Sequence, residues 1–321
     1  MSDIIESERS LRIARATDVA DGIRSFELVD PQGAPLPAFT PGAHLRLRTP
    51  SAGVRKYSLC NDPAERHRYV IAVKRDATGR GGSMSMVDQA CEGDLLGVSE
   101  PENAFRMSRG ARSFLFIAGG IGITPILSMI RSLQDQPDVK WRLIYLTRSA
   151  AGTPFVDDLR ALDAGGQVRI HHDEGDPSKA LDLWPWLETP QTNQHIYCCG
   201  PRPLMDGVKD MTGHWAMGRV HFESFTDGSV VRKNDHAFTV HLARSQTSVG
   251  VPVGQSILEA VRSAGCQVST SCESGTCGTC RTGLLAGQAD HRDMVLMQDE
   301  QASQIMVCVS RALGNELTLD L

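Results

Sequence analysis

The sequence contains no long hydrophobic run and no excess of positive charge, and each absence excludes a class of protein. Without an uninterrupted apolar stretch of about 18 residues, no transmembrane helix is expected. The net charge is −5 over 321 residues, with Lys and Arg scattered along the chain, so nucleic acid is not a predicted partner. The opening segment MSDIIESERSLRIAR lacks a basic start followed by an apolar stretch, which argues against a signal peptide and predicts a cytoplasmic protein.

The chain does have the composition of a globular protein, 41% hydrophobic and 22% charged, and enough length for two or three domains. Short strand-like runs separated by turn residues predict a small antiparallel β-barrel at the start. Strands then alternate with helices, which predicts an α/β domain with a parallel sheet. A helix over Ser256–Ala264, a cysteine-rich loop and two C-terminal strands predict a compact α+β module. The predicted parts are the barrel at 1–104, the α/β domain at 105–226, a polar linker at 227–236 and the α+β module at 237–321.

Four of the nine cysteines form a ligand-like pattern near the C-terminus. Cys272, Cys277 and Cys280 have the spacing C-x4-C-x2-C and Cys308 follows, which is the spacing of a plant-type [2Fe–2S] cluster. The small Ser, Gly and Thr residues between them let backbone N–H groups turn toward the cluster sulfurs. The competing interpretations are a set of ordinary core cysteines and a structural zinc site, which usually shows two separated C-x2-C pairs or Cys/His pairs. Most of the other five cysteines are expected to be buried, unreactive thiols.

Two glycine-containing turns follow strands in the α/β region. The first begins with Gly119, Gly120 and Gly122, and Thr124 and Pro125 open a helix where N–H groups and positive potential favour a phosphate. The second turn consists of Cys199, Gly200 and Pro201. A glycine-rich turn alone is often structural, and the first turn lacks the G-x-G-x-x-G spacing of a Rossmann fold. Because two strand ends of one parallel sheet line the same crevice, the pair of turns predicts a nucleotide site.

A cation, an aromatic ring and a hydroxyl lie close together in Arg55, Tyr57 and Ser58. Such a group can bind a phosphate, stack on a ring system and hydrogen-bond to a ring nitrogen. In isolation these are more simply interpreted as ordinary strand residues. Gly81 and Gly82 precede a helix further on and form another anion-binding arrangement.

Taken together, the segments R-x-Y-S, G-G-S, G-G-x-G-x-T-P, C-G-P and the late cysteine pattern resemble the ferredoxin–NADP⁺ reductase superfamily. Their order most closely resembles the phthalate dioxygenase reductase family, through RKYSLCND, VKRDATGRGGS and SCESGTCGTC. The resemblance implies an NADH-dependent reductase with FMN in the barrel, NADH in the α/β domain and a [2Fe–2S] cluster in an α+β module of the ferredoxin-like (β-grasp) type. It also implies hydride transfer from NADH to FMN, and single-electron transfer through the cluster to a separate Rieske-type oxygenase that attacks an aromatic substrate.

The same resemblance implies roles for individual residues. Arg55 would bind the FMN phosphate, Tyr57 would lie against the flavin and Ser58 near its reactive nitrogen. The predicted catalytic residues are Ser58, Thr124 between flavin and nicotinamide, and Phe225 covering the flavin ring. The other predicted flavin contacts are Ala72, Val73, Lys74, Gly81, Gly82 and Ser83. Glu223, together with Cys199 of the second glycine turn, is predicted to adjust the nicotinamide pocket.

Several alternatives stay open. Thr147, Arg148 and Ser149 follow a strand where an NADPH enzyme would recognise the 2′-phosphate, whereas the acidic stretch at 171–174 and the resemblance favour NADH. FMN rather than FAD rests on the resemblance alone. The chain has no C-x-H Rieske pair and no recognisable set of two histidines and a carboxylate, so oxygen chemistry is expected elsewhere. The acceptor could instead be a ferredoxin, a cytochrome or a demethylating oxygenase, and a nucleotide-binding redox sensor is the non-enzymatic alternative.

Overall fold

The computed structural model describes residues 8–51, 53–79, 81–163, 165–225 and 231–321. Its backbone contacts divide the chain into two compact units, one up to His221 and one from Phe222 onward. The predicted barrel lies in the first unit, as does nearly all of the α/β domain, and the predicted α+β module lies in the second. Four of the ten residues of the predicted linker, 227–230, lie outside the described residues, and the domain boundaries stay predictions. Within the described ranges, no helix is long and apolar enough to cross a membrane.

The first part of the chain forms the predicted antiparallel barrel. Its elements are β1 (Arg9–Ala20), β2 (Ile23–Val29), β3 (His44–Arg48), β4 (Val54–Ser58), β5 (Tyr69–Lys74), α1 (Gly82–Gln89) and β6 (Leu95–Val98). The strand order is β4-β3-β6-β1-β2-β5. A bridge between Leu59 and Ile71 joins the two outer strands, and the Cys60 N–H donates to the Val70 carbonyl at 2.9 Å. This bridge closes the sheet into a barrel around a core that includes Phe26 and Leu45.

The longest strand, β1, gives little strand signal in its sequence. It spans 12 residues, but only Leu11 and Ile13 are fully buried, and arginines occupy several of the other positions. A strand with so little apolar alternation carries a weak periodic signal. Its pairing with both β2 and β6 is what defines it.

The α/β region follows with strands and helices in alternation. Its elements are β7 (Ser113–Gly119), α2 (Ile123–Arg131), β8 (Lys140–Thr147), α3 (Val156–Leu162), β9 (Val168–His172), α4 (Trp184–Leu187), β10 (Gln194–Cys199), α5 (Arg202–Met211) and β11 (Val220–Glu223). The strand order is β11-β10-β7-β8-β9, and β10, β7, β8 and β9 pair in parallel. The chain runs outward from β7 to β9 and then returns to the other side of β7. The reversal of strand order between β7 and β10 opens a crevice at their carboxyl ends, which is where such sheets bind ligands.

One hydrophobic cluster joins the barrel to the α/β sheet inside the first unit. Ile23, Cys60 and Ala72 from the barrel belong to the same buried cluster as Phe116 and Ile126. The Arg131 guanidinium also donates a hydrogen bond to the Cys60 carbonyl. A shared apolar core fixes the two parts against each other, so residues on β4, β5 and β7 keep constant relative positions.

The second unit contains the α+β module. Its elements are β12 (Phe238–Leu242), β13 (Thr247–Val251), α6 (Ile257–Ser263), β14 (Arg281–Ala286), β15 (Ala289–Asp290), β16 (Gln304–Met306), β17 (Arg311–Ala312) and β18 (Glu316–Leu319). The larger sheet has the order β13-β12-β18-β14-β16, and β15 pairs with β17. The prediction of two strands after the cysteine-rich loop was wrong, since five are present. Three of them have only two or three residues, too few to produce a detectable alternation.

Candidate cofactor sites

The two glycine turns of the first unit touch through their backbones. A Cβ atom on Gly122 would lie 2.1 Å from the Cys199 carbonyl oxygen, and one on Gly119 would lie 3.2 Å from Gly200 Cα. Only residues without a side chain allow this approach. The structure therefore brings together the two turns that the sequence separates by some eighty positions.

Residues around the first turn hold its shape. Gly120 has a φ of +53°, which favours glycine, and the Tyr145 hydroxyl donates to its carbonyl at 3.1 Å. Thr124 is 2% exposed, and its hydroxyl donates to the Ile121 carbonyl at 3.0 Å. Tyr145 was not predicted as a site residue. The available signal was a single tyrosine in the buried segment LIYLT of β8.

The predicted FMN phosphate site collects three features at the start of α1. The Arg55 side chain packs directly against Gly82, since a Cβ atom added to Gly82 would lie 2.7 Å from the Arg55 Nε. Gly81 takes a left-handed conformation with a φ of +83°, and among the described residues no side chain caps this helix end by a hydrogen bond. The Ser83 hydroxyl accepts a hydrogen bond from the Asp76 N–H at 3.1 Å. A guanidinium beside the N–H groups of an uncapped helix start is a suitable cradle for a phosphate dianion.

The rest of the RKYS segment is partly buried. Arg55 and Tyr57 are two residues apart on β4 and so share one face, whereas Ser58 ends the strand and is buried. Burial raises the pKa of Tyr57 to about 12, so its hydroxyl remains a hydrogen-bond donor at neutral pH. The structure keeps the three residues in one strand, and their contacts with a flavin stay predictions.

The predicted flavin contacts on β5 divide between two environments. Ala72 belongs to the cluster shared with the α/β sheet, whereas Val73 belongs to the core of the barrel. Lys74 is exposed at the end of the strand. Because the Val73 side chain points into the barrel core, only its backbone groups are available to a flavin.

The four predicted ligand cysteines form two pairs in the second unit. A hydrogen bond from the Cys277 thiol lowers the pKa of Cys272 to about 4, and the same bond raises the pKa of Cys277. Cys280 and Cys308 form the other pair, in which a hydrogen bond from Cys308 lowers the pKa of Cys280. Two thiol pairs suit a cluster of two irons, which takes two thiolates on each iron.

The loop between the cysteines also fits a cluster. The N–H groups of Ser274 and Thr276 each lie 3.4 Å from the Cys272 sulfur. A Cβ atom on Gly275 would meet the Val309 side chain at 2.6 Å, so the loop requires glycine there. No three His, Cys, Asp or Glu side chains of the described ranges gather where they could hold a metal ion. The paired sulfurs and the N–H groups beside the Cys272 sulfur fit the predicted cluster.

Other predicted residues lie at the ends of strands. Glu223 is buried at the end of β11, and Phe225 is half exposed beside the segment outside the described residues. Their roles at the flavin and nicotinamide stay predictions. His171 and His172 end β9, and both are half-buried. His172 Nδ1 lies 2.7 Å from the Thr147 hydroxyl, and His171 Nε2 lies 2.7 Å from the Lys179 carbonyl.

Comparison with known proteins agrees with this arrangement. Residues 240–313 match the 2Fe-2S iron-sulfur cluster binding domain. Over 311 residues the chain is 55% identical to phthalate dioxygenase reductase of Burkholderia cepacia, covering 97% of each chain. It is 54% identical to the phthalate 4,5-dioxygenase oxygenase reductase subunit of Pseudomonas putida, covering 97% of this chain and 96% of the other. A solved phthalate dioxygenase reductase, described as a modular structure for electron transfer from pyridine nucleotides to [2Fe–2S], matches with a TM-score of 0.75 and 54% identity over 98% of both chains.

A barrel joined to an α/β sheet with a glycine-lined crevice, followed by a cysteine-loop module, defines an electron-transfer reductase built from a ferredoxin–NADP⁺ reductase-like part and a plant-type ferredoxin part. Identity of more than half over nearly the whole chain narrows this class further. The chain belongs to the phthalate dioxygenase reductase family. The resemblance, the fold class and the class of enzyme predicted from the sequence are thereby confirmed.

Proposed function

We propose that this chain is the NADH-dependent reductase component of a Rieske-type aromatic-ring oxygenase such as phthalate dioxygenase. NADH gives up two electrons as a hydride, whereas a [2Fe–2S] cluster accepts one electron at a time. Bound FMN can hold two electrons, one or none, and so supplies the conversion from two-electron to one-electron transfer. The observation that carries the proposal is the pairing of four cysteines in a module that follows a glycine-lined crevice in the same chain.

The residues of the first unit would bind and orient the cofactors. Arg55 and the start of α1 would bind the FMN phosphate, with Tyr57 and Ser58 beside the flavin ring. The two glycine turns would admit NADH close to the backbone, and the buried Thr124 would limit how near the nicotinamide approaches. No side chain has to act as a general base, because hydride transfer requires the nicotinamide to be positioned close to the flavin and does not require proton abstraction.

In the second unit, the cysteine pairs Cys272–Cys277 and Cys280–Cys308 would each bind one iron. The N–H groups of Ser274 and Thr276 would stabilise the charge on the thiolate sulfur of Cys272. The first pair is half-buried, whereas Cys280 and Cys308 are buried. The cluster would therefore be more open to electron exchange on the side of Cys272 and Cys277 than on the side of Cys280 and Cys308.

The acceptor, the location and the domain limits complete the proposal. Two reductases similar to this chain are named after phthalate dioxygenases, which supports an aromatic-ring oxygenase as the acceptor. A cytoplasmic location fits the use of NADH. We propose the domain limits of 104 and 226 because the strands of the barrel end before residue 104, the strands of the α/β sheet lie between the two limits, and the strands of the α+β module follow residue 226.

Cofactor analysis of the purified protein tests the proposal. Acid extraction should release one FMN per chain, and chemical analysis should give about two irons and two sulfides. Recovery of FAD, or of zinc without iron, would contradict the cofactor assignment. Continuous oxidation of NADH with an artificial electron acceptor distinguishes a reductase from a redox sensor, which would not turn over.

A further inference from the structure

The cluster loop contains one residue whose backbone conformation is unusual for its type. Three residues between Cys272 and Cys280 have left-handed φ angles, +75° at Gly275, +82° at Gly278 and +57° at Glu273. Glycine adopts this region freely, whereas a residue with a Cβ atom adopts it rarely. Glu273 directly follows Cys272, so contacts outside the backbone must hold the chain in this turn.

The Glu273 side chain supplies those contacts. Arg262 Nη1 donates a hydrogen bond to Glu273 Oε1 at 2.9 Å, and the Thr270 hydroxyl donates to the same oxygen at 3.2 Å. Arg262 Nη2 in turn donates to the Thr270 hydroxyl. We call these three side chains the Arg262 clamp. Its two charged members are more than a third exposed, so solvent screening keeps its effect modest.

The clamp connects two parts of the cluster site that are distant in sequence. Arg262 lies in the last turn of α6. Near the start of the same helix, the Leu258 N–H donates to the Val307 carbonyl at 2.9 Å, immediately before Cys308. Apolar residues of α6 share a buried cluster with Cys280 and Cys308. The helix α6 is therefore fixed next to Cys308, the last ligand, and its residue Arg262 holds the segment that contains Cys272, the first ligand.

We propose that Arg262, acting through Glu273, is a positioning residue for the iron–sulfur cluster. The clamp holds the left-handed turn that directs the N–H groups of Ser274 and Thr276 toward the Cys272 sulfur. Hydrogen bonds to ligand sulfurs stabilise a cluster and tune its reduction potential. Arg262 also compensates the carboxylate charge beside this electron-rich centre. This inference deepens the proposed function and rests on it, because Cys272 must be a cluster ligand.

The test compares variants of the full-length protein by the stability and potential of the cluster. Arg262→Met should lose the visible absorbance of the cluster roughly threefold faster than wild type in an iron chelator. Its reduction potential should shift to a more negative value, because the Glu273 carboxylate is no longer compensated. Thr270→Val removes the hydroxyl link without changing charge and should accelerate bleaching to a smaller extent. Reduction of the flavin by NADH should be unchanged in both variants.

Two further variants separate positioning from general charge or backbone effects. Glu273→Gly relieves the unfavourable φ angle but removes the carboxylate, and it should still bleach faster than wild type. Arg244→Met deletes an exposed arginine paired with Asp320 in the same unit and should bleach at the wild-type rate. Equal rates for Arg262→Met and Arg244→Met, or slow bleaching in Glu273→Gly, would refute the clamp. A wild-type protein without any cluster would instead refute the proposed function.

Discussion

The nucleotide crevice and the cluster loop are built in opposite ways. The crevice is formed by backbone atoms of two turns about eighty residues apart, and it exists only because β7 and β10 are neighbours in the sheet. Three ligand cysteines of the cluster site lie within nine consecutive residues, and their side chains are the functional groups. Topology creates the first site and local sequence creates most of the second.

The two sites also differ in what a mutation can remove. A ligand thiol has no substitute of equal chemistry, so its loss should abolish the cluster without affecting the first unit. A crevice glycine contributes space, and its replacement should act through a steric clash on both binding and stability. Comparison of the two kinds of variant therefore shows whether the sites work independently.

The largest expected effect is that of Cys277→Ser. The variant should lose the cluster, while NADH still reduces the flavin at nearly the wild-type rate because hydride transfer precedes the cluster step. Delivery of single electrons to a protein acceptor should stop. Absorbance spectra and anaerobic stopped-flow reduction measure both properties.

The matched control for Cys277→Ser is Cys266→Ser, which changes a half-buried cysteine of the same unit outside the ligand pattern. It should retain the cluster and full electron delivery. If flavin reduction in Cys277→Ser collapsed while FMN stayed bound, the assumed order of the cofactors would be wrong.

Gly122→Ala should have the next largest effect. Its new methyl group would meet the Cys199 carbonyl oxygen at 2.1 Å, and this oxygen belongs to the backbone and cannot rotate away. Separation of the turns should destabilise the first unit by about 2–3 kcal/mol and raise the KM for NADH. The cluster spectrum should not change.

Gly207→Ala provides the comparison for this steric argument. Gly207 lies inside α5, and a Cβ atom there has no neighbour within 4 Å, so alanine should stabilise the helix by about 0.5–1 kcal/mol. Thermal unfolding and NADH kinetics of both variants distinguish the clash from a general intolerance of alanine. If Gly122→Ala had the wild-type KM for NADH and the wild-type stability, the close contact between the two turns and its role in NADH binding would be contradicted.

Arg55→Met should weaken FMN binding by about 10- to 100-fold, because it removes a charged hydrogen-bond donor from the phosphate cradle at the start of α1. Lys56→Met is the control, since it removes a neighbouring positive charge that is exposed on the same strand. Fluorescence titration of the apoprotein with FMN measures both affinities. Similar losses in the two variants would mean that only the general positive potential of this strand matters.

These differences explain how much of the molecule could be predicted from its sequence. The cluster ligands could be identified because iron chemistry demands four thiols at a recognisable spacing. The contact between Gly122 and Cys199 could be expected only from the assumption of one parallel sheet, and its closeness required the structure. The Arg262 clamp could not be found at all, because neither a left-handed glutamate nor its partner on a helix produces any pattern. The strand β1 gives a weak sequence signal for the related reason that its pairing with β2 and β6, and not its composition, defines it.

The smallest expected effect distinguishes the two units by their response to acid. Burial, with help from Lys56 and Arg46, lowers the pKa of His44 in the barrel to about 4. Because the folded state holds this histidine neutral, its contribution to stability is complete above pH 6.5 and is lost as the pH falls toward 4. In the second unit, hydrogen bonds from Arg292 lower the pKa of Asp235 to about 2, so that contribution is lost only between pH 3.8 and 2.

The first unit should therefore lose stability at a higher pH than the second. His44→Gln should reduce the pH dependence between 6.5 and 4 by about 1–3 kcal/mol, whereas Asp235→Asn should leave that range unchanged. Chemical denaturation at a series of pH values, followed by flavin fluorescence, measures the stability of the first unit in wild type and in both variants. Identical profiles for His44→Gln and wild type would show that the buried histidine contributes nothing to the acid sensitivity of the barrel, and the contrast between the units would then have to come from other groups.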